Sequence, residues 1–160
     1  MRFALAIFLA LAPHFAIADG HDEHSDHLSV MEGLRALHAW TRATDQETAL
    51  VFVELENIGD HPITLEGGMS DIAEKTELVG FQLKGGEGVY SAIPMVPIAP
   101  GSELVLKPEA LALRMSGLEH ALAKGDTFEA ELRFDTGHLK VHVAVEAANA
   151  HQHSHAGHNH

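Results

Sequence analysis

The sequence predicts an all-β fold, an antiparallel β-sandwich with Greek-key connections, and three observations predict it. Apolar and polar residues alternate with a period of two through several short runs. Clusters of Gly, Pro, Asn and Asp interrupt those runs at short spacing: Asn57-Ile58-Gly59-Asp60, Gly67-Gly68, Gly85-Gly86, Pro100-Gly101 and Lys124-Gly125-Asp126. Pro94, Pro97 and Pro100 gather in one stretch, as they would on a sheet edge or an extended connection, because proline has no N–H to give a ladder.

Each strand can be argued in turn. Residues 29–37 form the first apolar segment and carry His38 and Trp40 just beyond it. In 49–56, Ala49, Val51, Val53 and Leu55 share a face, which requires a strand with that face in the core. Residues 63–65, 75–82 and 89–93 follow, each bounded by glycine or proline. Segments 103–107 and 110–115 are separated by Pro108, and 115–124 reads as a helical turn or loop. The last two strands are 127–134 and 138–145. In the latter, Leu139, Val141, Val143 and Val145 alternate with His138, Lys140, His142 and Ala144, the pattern of a half-buried antiparallel strand. Trp40, Phe52, Phe81, Phe128 and Phe134 are the large core candidates, and Met31, Met69, Met95 and Met115 are expected to fill gaps.

The 160 residues are 46% hydrophobic, enough for one domain with a core, placed here at 28–147. Ten Lys and Arg against 23 Asp and Glu give a net charge of -13, which argues against nucleic acid as a partner because phosphate binding needs a basic surface. Absence of cysteine excludes disulfides, thiolate zinc sites, iron–sulfur clusters and a Cys nucleophile. At the N-terminus, Arg2 precedes an apolar run at 3–12 and the small-residue pattern Ala16-Ile17-Ala18. That is a secretory signal over 1–18, cleaved near Ala18 or Gly20, and its apolar run is too short for the roughly 20 residues of a membrane span. The expected product is a periplasmic protein with no stable membrane insertion.

Histidine carries the chemical signal. Of 14 histidines, His21, His24 and His27 lie in the acidic segment 19–27, and His151, His153, His155, His158 and His160 lie in the tail 148–160. Neither segment has the apolar residues to build a core, so both read as disordered arms flanking the domain. Imidazole suits copper, zinc and nickel, and ligands on flexible arms suit capture and release, since ordering them costs entropy. Cleavage after Ala18 would expose Asp19-Gly20-His21, whose α-amine, two amide nitrogens and imidazole can form a square plane around Cu(II) or Ni(II). Cleavage after Gly20 would instead leave His21 to chelate through its amine and ring. His21 is therefore the leading single residue. His38 could complete such a site but reads first as an ordinary strand position. His61 and His120 sit in turns, and His138 and His142 lie roughly 13 Å apart along one strand, too far to share an ion unaided.

An ordered series of segments resembles the periplasmic copper chaperones of the PCuAC type, the DUF461 group. It comprises Ala39-Trp40-Thr41-Arg42-Ala43-Thr44, Val53-Glu54-Leu55-Glu56-Asn57-Ile58-Gly59-Asp60, Thr76-Glu77-Leu78, Ile98-Ala99-Pro100-Gly101, Leu106-Lys107-Pro108, Met115-Ser116-Gly117-Leu118 and Leu122-Ala123-Lys124-Gly125-Asp126. The resemblance implies a cupredoxin-like or Ig-like sandwich and a copper(I) site of two His and two Met. This sequence departs from that ligand set. The positions of one His and Met hold Val79 and Phe81, a further Met falls near Val89, and the second His and Met fall near Ala112 and Arg114. The resemblance also implies, for members with a degenerate site, copper held by a terminal histidine.

No G-x-S-x-G elbow, P-loop, dinucleotide fingerprint or H-E-x-x-H pair is present, and the reading is of a carrier rather than an enzyme. The function expected is an exported metallochaperone, monomeric or bridged by metal into a dimer. It would hold copper, Cu(II) in preference to Cu(I), on Asp19, His21, His24, His27 and the five tail histidines, and pass it to a copper-accepting periplasmic or membrane protein. Two other readings use the same residues: a zinc or nickel buffer, and a structural β-sandwich partner protein that binds metal incidentally.

Overall fold

A computed structural model describes residues 28–153. Eleven strands run in chain order: β1 (Leu28–Met31), β2 (Leu34–Arg42), β3 (Thr48–Asn57), β4 (Ile63–Met69), β5 (Ala73–Lys84), β6 (Glu87–Ala92), β7 (Val96–Ile98), β8 (Glu103–Leu106), β9 (Leu111–Leu118), β10 (Thr127–Phe134) and β11 (Gly137–Glu146). The all-β, cupredoxin-like sandwich expected from the sequence is what forms.

Hydrogen bonding links the strands in the order β6-β5-β9-β3-β2-β11-β10-β4-β7, with β1 added to β2 and β8 to β3. The ladders are antiparallel save one, the parallel pairing of β11 with β2 through Ala144–Trp40, Val145–Thr41 and Glu146–Arg42. Strand β3 is shared. Its first half pairs with β9 and its second half with β8, so both partners lie along one edge of it.

Alternation decides what fills the interior. Ala49, Val51, Val53 and Leu55 of β3 and Leu139, Val141, Val143 and Val145 of β11 are all buried in one cluster with Leu34, Leu65, Leu113, Met115 and Leu132. On the opposite face of β11, His138, Lys140 and His142 are exposed, as their register requires. A second, smaller cluster forms on the other face of β3 from Trp40, Phe52, Val79 and Ala112. Trp40 and Phe52 are cross-strand partners with ring centroids 4.8 Å apart.

Several expectations need correction. The run at 29–37 is two strands, because Glu32-Gly33 makes a turn with Gly33 at φ 76°. Gly67-Gly68 is not a turn but lies within β4, where a Cβ on Gly68 would come 2.8 Å from the Glu131 carbonyl. The stretch 115–124 holds no helix, since β9 continues to Leu118. Of the methionines, Met115 is buried and Met31 half-buried, but Met69 and Met95 are exposed. Phe81 is half-buried and packs edge-on against Tyr90 rather than entering the core. The proline-rich stretch does form the edge strand β7. Among the described residues, no helix is long and apolar enough to cross a membrane.

Candidate functional site: a histidine pair at the bulge of β2

Asp19, His21, His24, His27, His155, His158 and His160 lie outside the described residues. The two remaining tail candidates, His151 and His153, do lie within them. The chain does not leave the domain at residue 147. Arg42 Nε donates to the Ala150 carbonyl at 2.7 Å, and Ala150 packs on the Trp40–Phe52 cluster. His153 then settles where it is only 8% exposed, with Nδ1 2.9 Å from Oε1 of Glu146.

The other half of the pair comes from β2. Between Leu37–Glu54 and Trp40–Phe52 the ladder slips, so His38 and Ala39 together oppose Val53. His38 takes the extra position at φ 51°, a left-handed conformation uncommon outside glycine, in which Asn, Asp and His occur more often than other side chains. The bulge brings its ring to a centroid distance of 5.8 Å from that of His153, at an interplanar angle of 30°. His38 Nδ1 lies 3.6 Å from Glu54 Oε2. Both rings line a cleft of about 310 Å³ whose other walls include Trp40, Glu54, Lys107 and His151.

The positions to which the PCuAC resemblance assigns ligands do converge, but with other chemistry. Val79 of β5 and Ala112 of β9 are cross-strand partners, both fully buried beneath Trp40 and Phe52. Arg114 pairs with Glu77 and donates from Nη1 to the Tyr90 carbonyl at 3.2 Å. Hydrogen bonds from Lys75 first and Arg114 second hold the Glu77 carboxyl below its ordinary range. A hydrocarbon cluster rimmed by a satisfied ion pair offers no soft donor, and the two-His, two-Met site is absent from the fold as well as from the sequence.

The other histidines sit apart. His138 pairs with Glu131, His61 lies beside Asp60 and is 87% exposed, and His120 is exposed. Among the described residues, no three His, Asp or Glu side chains gather as a metal-binding group. Sequence reasoning placed His153 in a free arm and treated His38 as ordinary. Neither the bulge nor the return of the tail leaves a periodic signal.

A family model described as "Putative lipoprotein LpqE-like" matches residues 34–146. None of the curated proteins compared matches the chain. Among solved structures, the copper-bound PCuAC domain from PmoF2 superposes with a TM-score of 0.64 at 19% identity, covering 76% of this chain and 98% of that one. The apo PCuAC domain from PmoF1 gives 0.65 at 20% identity, over 76% and 99%. The solution structure of CuI-DR1885 from Deinococcus radiodurans gives 0.56 at 25% identity, over 70% and 77%. Neighbours in fold and a family match over most of the described residues agree, and the chain belongs to the LpqE-like family, within the PCuAC/DUF461 group that its sequence resembles.

Proposed function

We propose that this protein is an exported copper-binding metallochaperone, which captures copper through its terminal histidines and delivers it to a periplasmic or membrane cuproprotein. The observation that carries this reading is the fold shared with a copper-bound PCuAC domain in a chain whose histidines are concentrated at its ends. The usual ligand positions are closed by Val79, Ala112 and Arg114, so the cargo must be held elsewhere. Imidazole and amine donors are harder than thioether, which shifts preference from Cu(I) towards Cu(II). The role is carriage, not catalysis. It acts after removal of the signal at 1–18, and transfer proceeds by exchange of imidazole ligands with the acceptor.

The test begins with mass spectrometry of the exported protein's N-terminus, followed by Cu(II) titration read by visible absorption and EPR. A start at Asp19 or His21, with one tight Cu(II) equivalent lost in His21→Ala, is the expected outcome. Several weak, equivalent sites indifferent to that change would replace the chaperone with a histidine-tail buffer. Zinc or nickel in place of copper after purification without a metal-affinity column would also overturn it.

A further inference from the structure

We infer that the two histidine-bearing ends of the chain share one copper ion, because the fold brings both ends of the domain to the bulge of β2. The inference rests on the copper reading above for the identity of the ion, and on the strand register for the place. Leu28, the first residue of β1, is the Cα partner of Leu37, and the two strands are antiparallel, so the chain before Leu28 lies towards His38 and the bulge. With β3 on the other edge of β2, β11 takes this flank beyond the bulge, from Trp40 onwards. At the other end of the domain, the His153 ring lies 5.8 Å from the His38 ring. These two imidazoles mark the place and are not counted among the ligands. Cross-strand Cα atoms lie about 5.5 Å apart at most, and one residue and two imidazole side chains complete the path, so Leu28 and His153 are separated by no more than about 23 Å.

The ligand-bearing segments, which lie outside the described residues, are long enough to meet. His27, His24 and His21 precede Leu28 by one, four and seven residues, and His155, His158 and His160 follow His153 by two, five and seven. At about 3.5 Å per residue, His24 reaches about 14 Å from Leu28 and His158 about 17 Å from His153, together more than the gap. Their chemistry is complementary. Residues 19–27 add Asp19, Asp22, Glu23 and Asp26, which attract a dication, whereas 154–160 supplies imidazole with no Asp, Glu, Lys or Arg. On the sheet from which β1 leaves, Glu54, Glu56 and Glu103 face outward and outnumber Arg35 and Lys107, so the local field also favours the ion. Cu(II) favours a square plane of nitrogen and oxygen donors, and imidazoles from both ends complete it. With the ends this close and the tethers this short, the second end is present at about millimolar effective concentration, so two weak grips become one tight one with no new contact. An acceptor can then replace the ligands of one end while the other still holds the ion.

For the test, Cu(II) alone is titrated into the exported chain, into a variant carrying His21→Asn, His24→Asn and His27→Asn, and into one carrying His155→Asn, His158→Asn and His160→Asn. Equilibrium dialysis counts the copper bound, sedimentation gives the mass, and circular dichroism checks that each variant keeps the sheet. The parent is expected to bind one tight equivalent as a monomer, and each variant to lose about a hundredfold or more in affinity for it. An equivalent held at the parent's affinity by either variant overturns the shared site and leaves the chaperone reading standing. That is the result if amine and amide nitrogens at Asp19-Gly20-His21 saturate the ion without the tail. A copper-induced dimer also overturns the shared site alone. No tight copper bound by the parent removes both.

Discussion

Asn57 shows how one side chain can tie two connections together. It is fully buried at the end of β3, and its amide nitrogen donates to the carbonyls of His61 and Ile98 at 2.8 and 2.9 Å. Its Oδ1 accepts from Gly59 N at 3.0 Å, and its backbone exchanges bonds with Ser102 and Gly101. Replacing it with alanine strands the buried Ile98 carbonyl, at about 1–3 kcal/mol, and removes two part-buried bonds worth about 0.5–1.5 kcal/mol each. Asn57→Ala is expected to lose about 3 kcal/mol in urea unfolding, and a loss under 1 kcal/mol would show that the loops stand without it. The sequence marks this place only as Asn-Ile-Gly-Asp, a turn. Its role as an anchor depends on Ile98 arriving from β7, which no local pattern announces. His38 is hidden for a similar reason, since a bulge is set by the partner strand rather than by the run that contains it.

At the scale of elements, β5 and β9 meet in an antiparallel ladder that carries Val79, Ala112 and the Glu77–Arg114 pair. The strands themselves were legible, because alternation in 49–56 and 138–145 names the inward residues without ambiguity. Gly67-Gly68 misled because glycine serves a close backbone approach as well as a turn, and only the neighbouring β10 distinguishes the two. The ion pair gives this region a pH signature. Lys75 and Arg114 lower the folded carboxyl of Glu77, so its contribution is complete above the ordinary carboxylate range and is lost as pH falls through the lowered folded value. Glu77→Gln is therefore expected to be less stable than the parent by about 1 kcal/mol at pH 7, the gap closing as pH falls below about 4. Urea midpoints for both proteins at several pH values measure this, and a gap that stays constant across the series would assign the effect to packing instead.

At the scale of the molecule, the C-terminal segment joins the outer hydrocarbon cluster to the histidine cleft. The inner core closes with Val145, but the outer cluster of Trp40, Phe52, Val79 and Ala112 still needs a cover over its solvent side. Ala150, pinned by Arg42, shares that cover with Leu50 and Tyr90, and the chain then delivers His153 to Glu146 and His38. The described part of that tail, 148–153, is thus held by one alanine, one arginine and one carboxylate. None of these contacts is periodic, and the bond from Arg42 to Ala150 links residues far apart in the chain, so alternation along the sequence is silent about them. Ending the chain after Ala147 removes the cover and leaves the inner core intact. The shortened protein is expected to fold with the same far-ultraviolet circular dichroism and to lose about 1–2 kcal/mol, from one part-buried hydrogen bond and the exposed face of the cluster. Trp40 emission should shift to the red as water reaches the ring. If the emission and the unfolding midpoint of the shortened chain both match the parent, the tail is a solvated appendage. A red shift at Trp40 would mean instead that the segment after Ala147 is also the cover of the outer hydrocarbon cluster.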